Sequence, residues 1–380
     1  MPDKIRITTD ELKDARVDEV LARQAEENVW RAGVPAVPAE PAKTSFIHRN
    51  WFYLMMAGLI GAFIAWAIFE PFMTSTEEIA IQNRVLSEEE ALKLGAYVIL
   101  MLLSIGGMIG MMIGAVEGFL ARNYRRAIRS GLIGLGIGIG GALVAILATV
   151  LISRIVNLIG TAIVGEEAAK NPQHHFSGFL LIMISRSIAW AILFIAVGLG
   201  PGIALKSKKM AMNGFVGGMI GGAIGGLLFD PINYFISGGT MMKSAGLSRA
   251  IGFTVVGACA GLMIGLVETL AKEAWLLMTA GPLKGKQFII YRNPTLIGSS
   301  PRCDVYLFKD PAVAEVHAAI HLVRDGYELE DKASQSGTFV NNVRIKKKRL
   351  VNGDQIRIGS ALFVYSEKEK KGKKEKSAKA

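Results

Sequence analysis

The sequence has little of what disulfide and metal chemistry require. It contains two cysteines and five histidines in 380 residues. One cysteine lies in an apolar run and the other in a strand-like region, so no disulfide framework is predicted. The adjacent His174 and His175 diverge on any regular element, and His317 and His321 have no third ligand near them in the sequence. We therefore expect no metal site.

Catalytic motifs are also missing. The sequence has no Gly-x-Ser-x-Gly elbow, no Gly-Lys-[Ser/Thr] phosphate loop and no kinase motif set. The glycine runs at 134–141 and 217–226 lie inside apolar runs with no soluble strand before them, so they are not nucleotide loops. We expect neither an enzyme nor a bound cofactor. Residues 1–10 lack the apolar centre of a signal peptide, so we expect no cleaved export signal.

Apolar residues are abundant instead: 51% of the chain is hydrophobic, and 43 residues are glycine. Six apolar runs have nearly the ~20 residues that span a bilayer. They are 51–69, 97–117, 131–153, 180–204, 214–236 and 250–270. Basic clusters at 122–129 and 206–209 alternate with an acidic loop at 70–90. The positive-inside rule then predicts a six-span α-helical transmembrane bundle with both termini in the cytoplasm.

The spans contain an internal repeat. Residues 55–72 align without a gap to 215–232, and both segments end in Phe-acid-Pro. Each even-numbered span carries a Gly-xxx-Gly near its cytoplasmic end, at Gly110/Gly114, Gly198/Gly202 and Gly261/Gly265. We predict three hairpin repeats, beginning near residues 51, 128 and 211. The glycine-rich membrane region, 51–272, is not assigned to a family.

The odd-numbered spans carry small residues at every fourth position, as at Gly214, Gly218, Gly222 and Gly226. Such ladders let helix backbones touch in lipid, which favours tight packing within the bundle. A pore or an oligomer interface is the alternative. Most ionisable residues fall at predicted span ends, and we expect Arg186 to begin its span, which argues against a transport path.

Three further segments complete the domain organisation. Residues 1–50 are expected to form a cytosolic leader, with a short amphipathic helix at 8–29 and a Pro-rich linker. Thr8–Glu11 is a candidate phosphoacceptor. Residues 273–282 are expected to be a short linker, with Trp275 as an interfacial anchor. Residues 367–380 are a Lys/Glu tail that we expect to be disordered.

The positive charge is concentrated at the C-terminal end. Residues 283–380 carry 20 basic and 11 acidic side chains, which is +9 of the chain's net +11. The basic loop 344–349 and the tail are expected to contact anionic lipid head groups, with a solvated surface as the alternative. We do not expect nucleic acid as a partner.

Residues 283–366 have a different pattern. Short strand-like runs follow one another, separated by turn signals such as Asn341-Asn342 and Asn352-Gly353-Asp354. This spacing predicts an all-β sandwich. The predicted strands are 287–291, 295–298, 304–307, 318–323, 327–330, 338–340, 355–358 and 361–365.

Four motifs in this region resemble the forkhead-associated (FHA) domain. They are Ile297-Gly298-Ser299-Ser300-Pro301, Ala314-Glu315-Val316-His317, Ser336-Gly337-Thr338-Phe339-Val340-Asn341 and Leu350-Val351-Asn352-Gly353-Asp354-Gln355-Ile356. The resemblance implies an eleven-stranded sandwich that binds phosphothreonine peptides through loops at one end. It assigns structural roles to Gly298, His317, Gly337 and Thr338, with His317 bracing the binding loops.

The phosphopeptide positions that the resemblance implies are Ser299, Ser300, Arg302, Ala314, Glu315, Ser336 and Asn341. Several depart from the family. The family usually has arginine at Ser299, a phosphate-binding serine at Ala314, often arginine at Glu315, and asparagine at Ser336. Phosphate capture depends on charge-assisted donors, so these changes weaken the site. Arg302 is a candidate replacement.

Two functional hypotheses follow. The first is a multi-pass protein of the bacterial inner membrane whose cytosolic FHA-like domain recruits a protein partner, either threonine-phosphorylated or unmodified. The second is a channel, transporter or membrane-remodelling bundle that the FHA-like domain regulates. An oligomer is compatible with both.

Overall fold

The structure is a computed structural model that describes residues 49–81, 87–164, 175–236, 246–308, 310–324 and 326–368. Its N-terminal part contains six helices that are long and apolar enough to cross a membrane. They are α1 (Asn50–Ile81), α2 (Glu88–Leu120), α3 (Tyr124–Val164), α4 (Phe176–Ala204), α5 (Lys208–Ile236) and α6 (Gly246–Ala271). The six predicted runs therefore correspond one to one with these helices, which extend beyond them.

Local sequence explains how these helices begin and connect. Ser87 and Glu90 form a capping box at the start of α2, each side chain accepting the other's backbone N–H. Tight turns join α2 to α3 and α4 to α5. In both, a basic residue adopts a positive φ, 52° at Arg122 and 53° at Lys206. The next residue, Asn123 or Ser207, then caps the following helix.

The six helices close into a ring, because each packs on its neighbours in sequence and α6 packs on α1. The same glycine contact occurs at three joints of the ring. It pairs Gly110 with Gly134, Gly198 with Gly214, and Gly257 with Gly58. At each of these positions an added Cβ would lie within 2.5 Å of a facing backbone oxygen, so only glycine permits this approach. The threefold recurrence agrees with the predicted repeat.

The glycine ladders pack against neighbouring helices inside the bundle, as the small residues at every fourth position predicted. On α5, the ladder from Gly214 to Gly226 faces α4, while Gly217, Gly221 and Gly225 face α6. Helix α5 therefore contacts both neighbours backbone to backbone. This explains why it carries more glycine than packing against one helix would need.

Two ion pairs join neighbouring helices near the ends remote from the β domain: one is buried, and the arginine of the other is partly exposed. Arg249 on α6 bonds Glu70 on α1 through two nitrogens, at 2.5 and 3.1 Å. Arg186 on α4 bonds Asp230 on α5. The expectation that Arg186 begins its span was wrong, because α4 begins at Phe176. A carboxylate on the next helix lets the arginine lie within the span.

The C-terminal part is a sandwich of eleven strands. They are β1 (Ala274–Ala280), β2 (Gln287–Ile289), β3 (Thr295–Gly298), β4 (Val305–Tyr306), β5 (Ala318–Val323), β6 (Gly326–Asp331), β7 (Thr338–Val340), β8 (Val343–Ile345), β9 (Lys347–Arg349), β10 (Gln355–Ile358) and β11 (Ala361–Glu367). One sheet has the order β2-β1-β11-β10-β7-β8 and the other β4-β3-β5-β6-β9. Leu276, Phe363, Ile297 and Ile320 are fully buried between them. All eight predicted strands are present, with small boundary differences.

Two sequence predictions about this region were wrong. The expected linker 273–282 is largely β1, whose alternately buried residues pair with both β2 and β11. The expected basic loop 344–349 contains β8 and β9, which border the two sheets. Edge strands commonly carry lysine, so the basic residues did not exclude strands.

Other predictions fall largely outside the described residues. They are the helix at 8–29, the Pro-rich linker, the phosphoacceptor at Thr8–Glu11 and the disordered tail. Of the tail, Glu367 ends β11 and Lys368 donates to the carbonyl of Leu270.

Candidate functional site

Three loops meet at one end of the sandwich, and we call them the apex loops: 299–304, 310–317 and 332–337. Ser299 and Ser300 donate backbone N–H bonds to the carbonyls of Ala314 and Glu315, at 3.0 and 3.1 Å. The Ser336 hydroxyl donates to the carbonyl of Ala312. The structure thus brings together six of the seven predicted phosphopeptide positions.

His317 braces two apex loops, as the resemblance implied. Its side chain is fully buried. Its Nδ1 lies 3.2 Å from the Ala314 N–H and its Nε2 lies 3.2 Å from the Gly337 carbonyl. These contacts fit a neutral ring that accepts at Nδ1 and donates at Nε2. Burial lowers the pKa of His317, which keeps the ring in this form.

The other positions to which the resemblance assigns structural roles also have such roles here. An added Cβ at Gly298 would lie 2.2 Å from the Glu315 carbonyl oxygen, so glycine allows the first two apex loops to touch. Gly337 has a φ of 79°, which favours glycine. The buried Thr338 hydroxyl donates to Asp331 at 2.6 Å and fixes the third loop to β6.

Asn341 is not part of the apex. Its amide donates to Asp354 at 2.7 Å and accepts from the backbone N–H of Gln355 at 2.9 Å. Asn341 and Asn342 both have positive φ, so they form the two-residue turn between β7 and β8. Asn341 therefore stabilises the turn.

The apex has few donors of its own for a phosphate. Ser299 and Ala314 offer no charge, and Glu315 adds an exposed carboxylate. Two arginines are close. Arg302 lies at the tip of the first loop. Arg344, which sequence analysis missed, packs against Gly337, where an added Cβ would lie 2.5 Å from its Nε. The sequence did contain a signal for Arg344, because a two-residue turn at Asn341-Asn342 places Arg344 opposite Phe339 on the neighbouring strand.

The first apex loop rests on the turn between α2 and α3. The buried Asn123 side chain donates to the Pro301 carbonyl at 2.7 Å, and Arg126 donates to the Asp304 carbonyl at 3.1 Å. Arg122 lies over the ring of Phe308, 5.6 Å from its centre. The apex is therefore held against the helical ring.

A cavity of about 290 Å³ lies between the ring and the sandwich. Glu117, Glu268 and Lys286 are among its lining residues. Within the described part of the chain, the buried Lys286 ammonium has no hydrogen-bond partner. Burial lowers the pKa of Lys286 to about 8. Across all residues that the structure describes, no cluster of three or more potential metal ligands occurs.

Comparisons with known proteins agree with this geometry. The family model of the FHA domain matches residues 295–359. The chain is 34% identical over 93 residues to the Oxoglutarate dehydrogenase inhibitor of Corynebacterium jeikeium, covering 24% of this chain and 64% of the relative. It is 30% identical over 105 residues to the Glycogen accumulation regulator GarA of Mycolicibacterium smegmatis, covering 28% of this chain and 66% of the relative. The chain thus spans slightly less than two thirds of these two curated relatives.

A solved structure gives a further likeness. The FHA domain of a Chlamydia trachomatis protein aligns with 26% of this chain and 100% of that chain, at 23% identity and a TM-score of 0.24.

The fold defines a protein with six long apolar helices and a C-terminal eleven-stranded β-sandwich of the FHA type. The chain belongs to the family of FHA-domain proteins.

Proposed function

We propose that this protein recruits a threonine-phosphorylated protein partner to the cytoplasmic face of a bacterial inner membrane. The observation that carries the proposal is the attachment of the FHA apex to the helical ring through Asn123 and Arg126. A partner bound at this apex lies at the membrane surface. The activity is binding, with no catalytic step.

The distribution of basic residues supports this orientation. The helix ends that face the FHA domain carry seven basic residues in two clusters, and Lys272 follows the last helix. The clusters are Arg122, Arg125, Arg126, Arg129, Lys206, Lys208 and Lys209. Basic residues near span ends favour the cytoplasmic side.

Further contacts hold the FHA domain close to this side. Lys209 bonds Glu273 at 2.6 Å, and Lys272 bonds Gln287 at 2.9 Å. Strand β1 begins three residues after α6 ends, which leaves little slack between the ring and the sandwich. These contacts support a domain that presents its partner in a fixed position, without a long tether.

The alternative, a channel or transporter, rests on one observation. A cavity of about 520 Å³ lies among the helices, and its lining includes Arg186, Arg249 and Trp190. Each of these arginines is paired with a carboxylate on the following helix of the ring, which favours a structural role for the charges. Recruitment is therefore the function that the geometry supports best.

The test is a peptide screen on the full chain in nanodiscs. The probe is a degenerate peptide library with a central phosphothreonine, and its twins carry phosphoserine or unmodified threonine. We expect selection of phosphothreonine peptides. Equal retention of all three libraries would exclude phosphothreonine recruitment, and ion flux through liposomes containing the chain would then support the alternative.

A further inference from the structure

The FHA apex and the helical ring together enclose a pocket of about 610 Å³. The FHA domain contributes Ser300, Arg302 and Glu315, three of the predicted phosphopeptide positions. The ring contributes residues from the start of α3 and from the turn between α4 and α5, including Arg125, Arg129 and Lys206. One wall of the pocket is thus the weakened FHA site, and the other is basic.

The charge of this pocket is strongly positive. Its lining has six basic side chains and two carboxylates, which are Arg125, Arg126, Arg129, Lys206, Arg292 and Arg302 with Asp304 and Glu315. Arg126 and Arg292 already have acidic partners, Glu117 at 3.6 Å and Asp304 at 3.1 Å. Across the described ranges, the other four cations form no ion pair. Four cations that line one pocket without acidic partners are suited to an anion of high charge.

One side chain joins the start of α3, which carries the ring arginines, to the first apex loop. Asn123 accepts the backbone N–H of Arg126 and also donates to Pro301 of the FHA loop. The same asparagine therefore sets the start of α3 and the tip of the first apex loop. Arg125 and Arg129, four residues apart on α3, lie on one helix face.

We propose that Arg125, Arg129 and Lys206 supply the cationic donors that the FHA loops have lost, so that the phosphothreonine of a partner binds between the two parts of the chain. This inference rests on the proposed function and names where its phosphate is held. Arginine suits the role because its planar fork donates to two phosphate oxygens at once.

A phosphorylated protein segment fits this pocket better than a lipid head group. Two apex loops of the FHA domain line the pocket, through Ser300–Arg302 with Asp304 and through Glu315, and the family resemblance assigns peptide binding to these loops. A lipid would need only the ring arginines. Binding of variants in Arg125 and Arg129 to vesicles that contain phosphatidylglycerol distinguishes a lipid site from a phosphopeptide site.

The test uses the full chain in nanodiscs of zwitterionic lipid and the phosphothreonine library with its unmodified twin. In the variant, Arg125→Gln and Arg129→Gln are combined. The control is Lys208→Gln, an exposed cation at the same helix ends that does not line the pocket. We expect about a tenfold or larger loss of phosphate-dependent binding in the double variant and less than about a twofold change in the control.

A second variant keeps the inference testable if the double variant fails to fold. Glu315→Gln removes the repelling carboxylate, so we expect it to tighten phosphopeptide binding by about threefold or more. Inorganic phosphate should compete with the library in the wild type and less in the double variant.

The outcomes separate the inference from the proposed function. If the wild type has no preference for phosphate, both fail. If the wild type prefers phosphate and the double variant retains that preference, the inference is overturned while the function stands. If the double variant loses only binding to vesicles that contain phosphatidylglycerol, the arginines bind lipid and the inference is also overturned.

Discussion

Helix α3 carries two glycines, two residues apart, that differ sharply in surroundings. A Cβ added at Gly138 would lie 2.0 Å from the carbonyl oxygen of Gly106 on α2, whereas one added at Gly136 would meet nothing within 4 Å. Gly138→Ala and Gly136→Ala therefore add the same methyl group to one helix. In Gly138→Ala the methyl group meets the backbone of α2, whereas in Gly136→Ala it meets no other atom within 4 Å. It tests the close packing of the ring directly.

The expected difference follows from these distances. Real Cβ atoms almost never lie under 3.0 Å from another heavy atom. The backbones of α2 and α3 must therefore separate by about 1 Å in Gly138→Ala, which also loosens the neighbouring contact of Gly110 with Gly134. Overpacking of this kind costs about 1–3 kcal/mol. Gly136→Ala should gain about 0.5–1 kcal/mol from helix propensity.

The assay is reversible unfolding of the full chain by SDS titration from mild detergent micelles, followed by tryptophan fluorescence. The gain in helix propensity is common to both variants, so we expect Gly138→Ala to be less stable than Gly136→Ala by the overpacking cost alone, about 1–3 kcal/mol. If Gly138→Ala is as stable as Gly136→Ala or more stable, the backbone contact between α2 and α3 does not exist and the packing argument fails.

Three further predictions use the same chain. Arg249→Met leaves the Glu70 carboxylate buried without its guanidinium partner and should lower the free energy of unfolding in SDS titration by about 3–5 kcal/mol. The double variant Arg249→Met/Glu70→Leu should recover most of this loss, and a double variant no more stable than Arg249→Met would refute the buried pair. The ordinary pKa of His317 is 6.5 and burial lowers it, so stability of the FHA domain should fall as pH drops below 6.5 and level off below the folded-state pKa. His317→Asn should remove this pH-dependent step in thermal melts, and a step that persists would assign it to another group. The ordinary pKa of Lys286 is 10.5 and burial lowers it to about 8, so Lys286→Met should stabilise the chain at pH 7 by up to about 3 kcal/mol. That gain should shrink as pH rises from about 8 towards 10.5, and a gain that does not depend on pH would exclude this cause.

Much of this architecture could be predicted from local pattern. Apolar runs of about 20 residues identified all six helices, since length and composition alone determine whether a helix can span a bilayer. Glycine spacing predicted the helix contacts, because small residues every fourth position mark a face where backbones touch. Turn residues separated most strands of the sandwich correctly.

The errors have physical causes. Strand β1 was mistaken for a linker because its Trp275 suited a membrane interface equally well, and a strand of seven residues directly after a helix gives little warning. Strands β8 and β9 are short and basic, so composition favoured a loop. In both places pairing with distant strands decides the structure.

The candidate site could be predicted only in part. The motifs gave the apex residues and the bracing role of His317, because these are local features of the FHA family. The ion pairs of Arg186 and Arg249 and the pocket that joins Arg302 to Arg129 depend on contacts between segments more than 40 residues apart. No local pattern records such contacts.

The central claim is that the FHA apex binds phosphothreonine while it is held at the membrane surface. Calorimetric titration of the full chain in zwitterionic nanodiscs, with one peptide in phosphothreonine and threonine forms, tests it most directly. We predict at least about tenfold tighter binding of the phosphorylated form, a preference that weakens as salt is raised because the contacts are ionic. Equal affinity for the two forms at low salt would contradict the account.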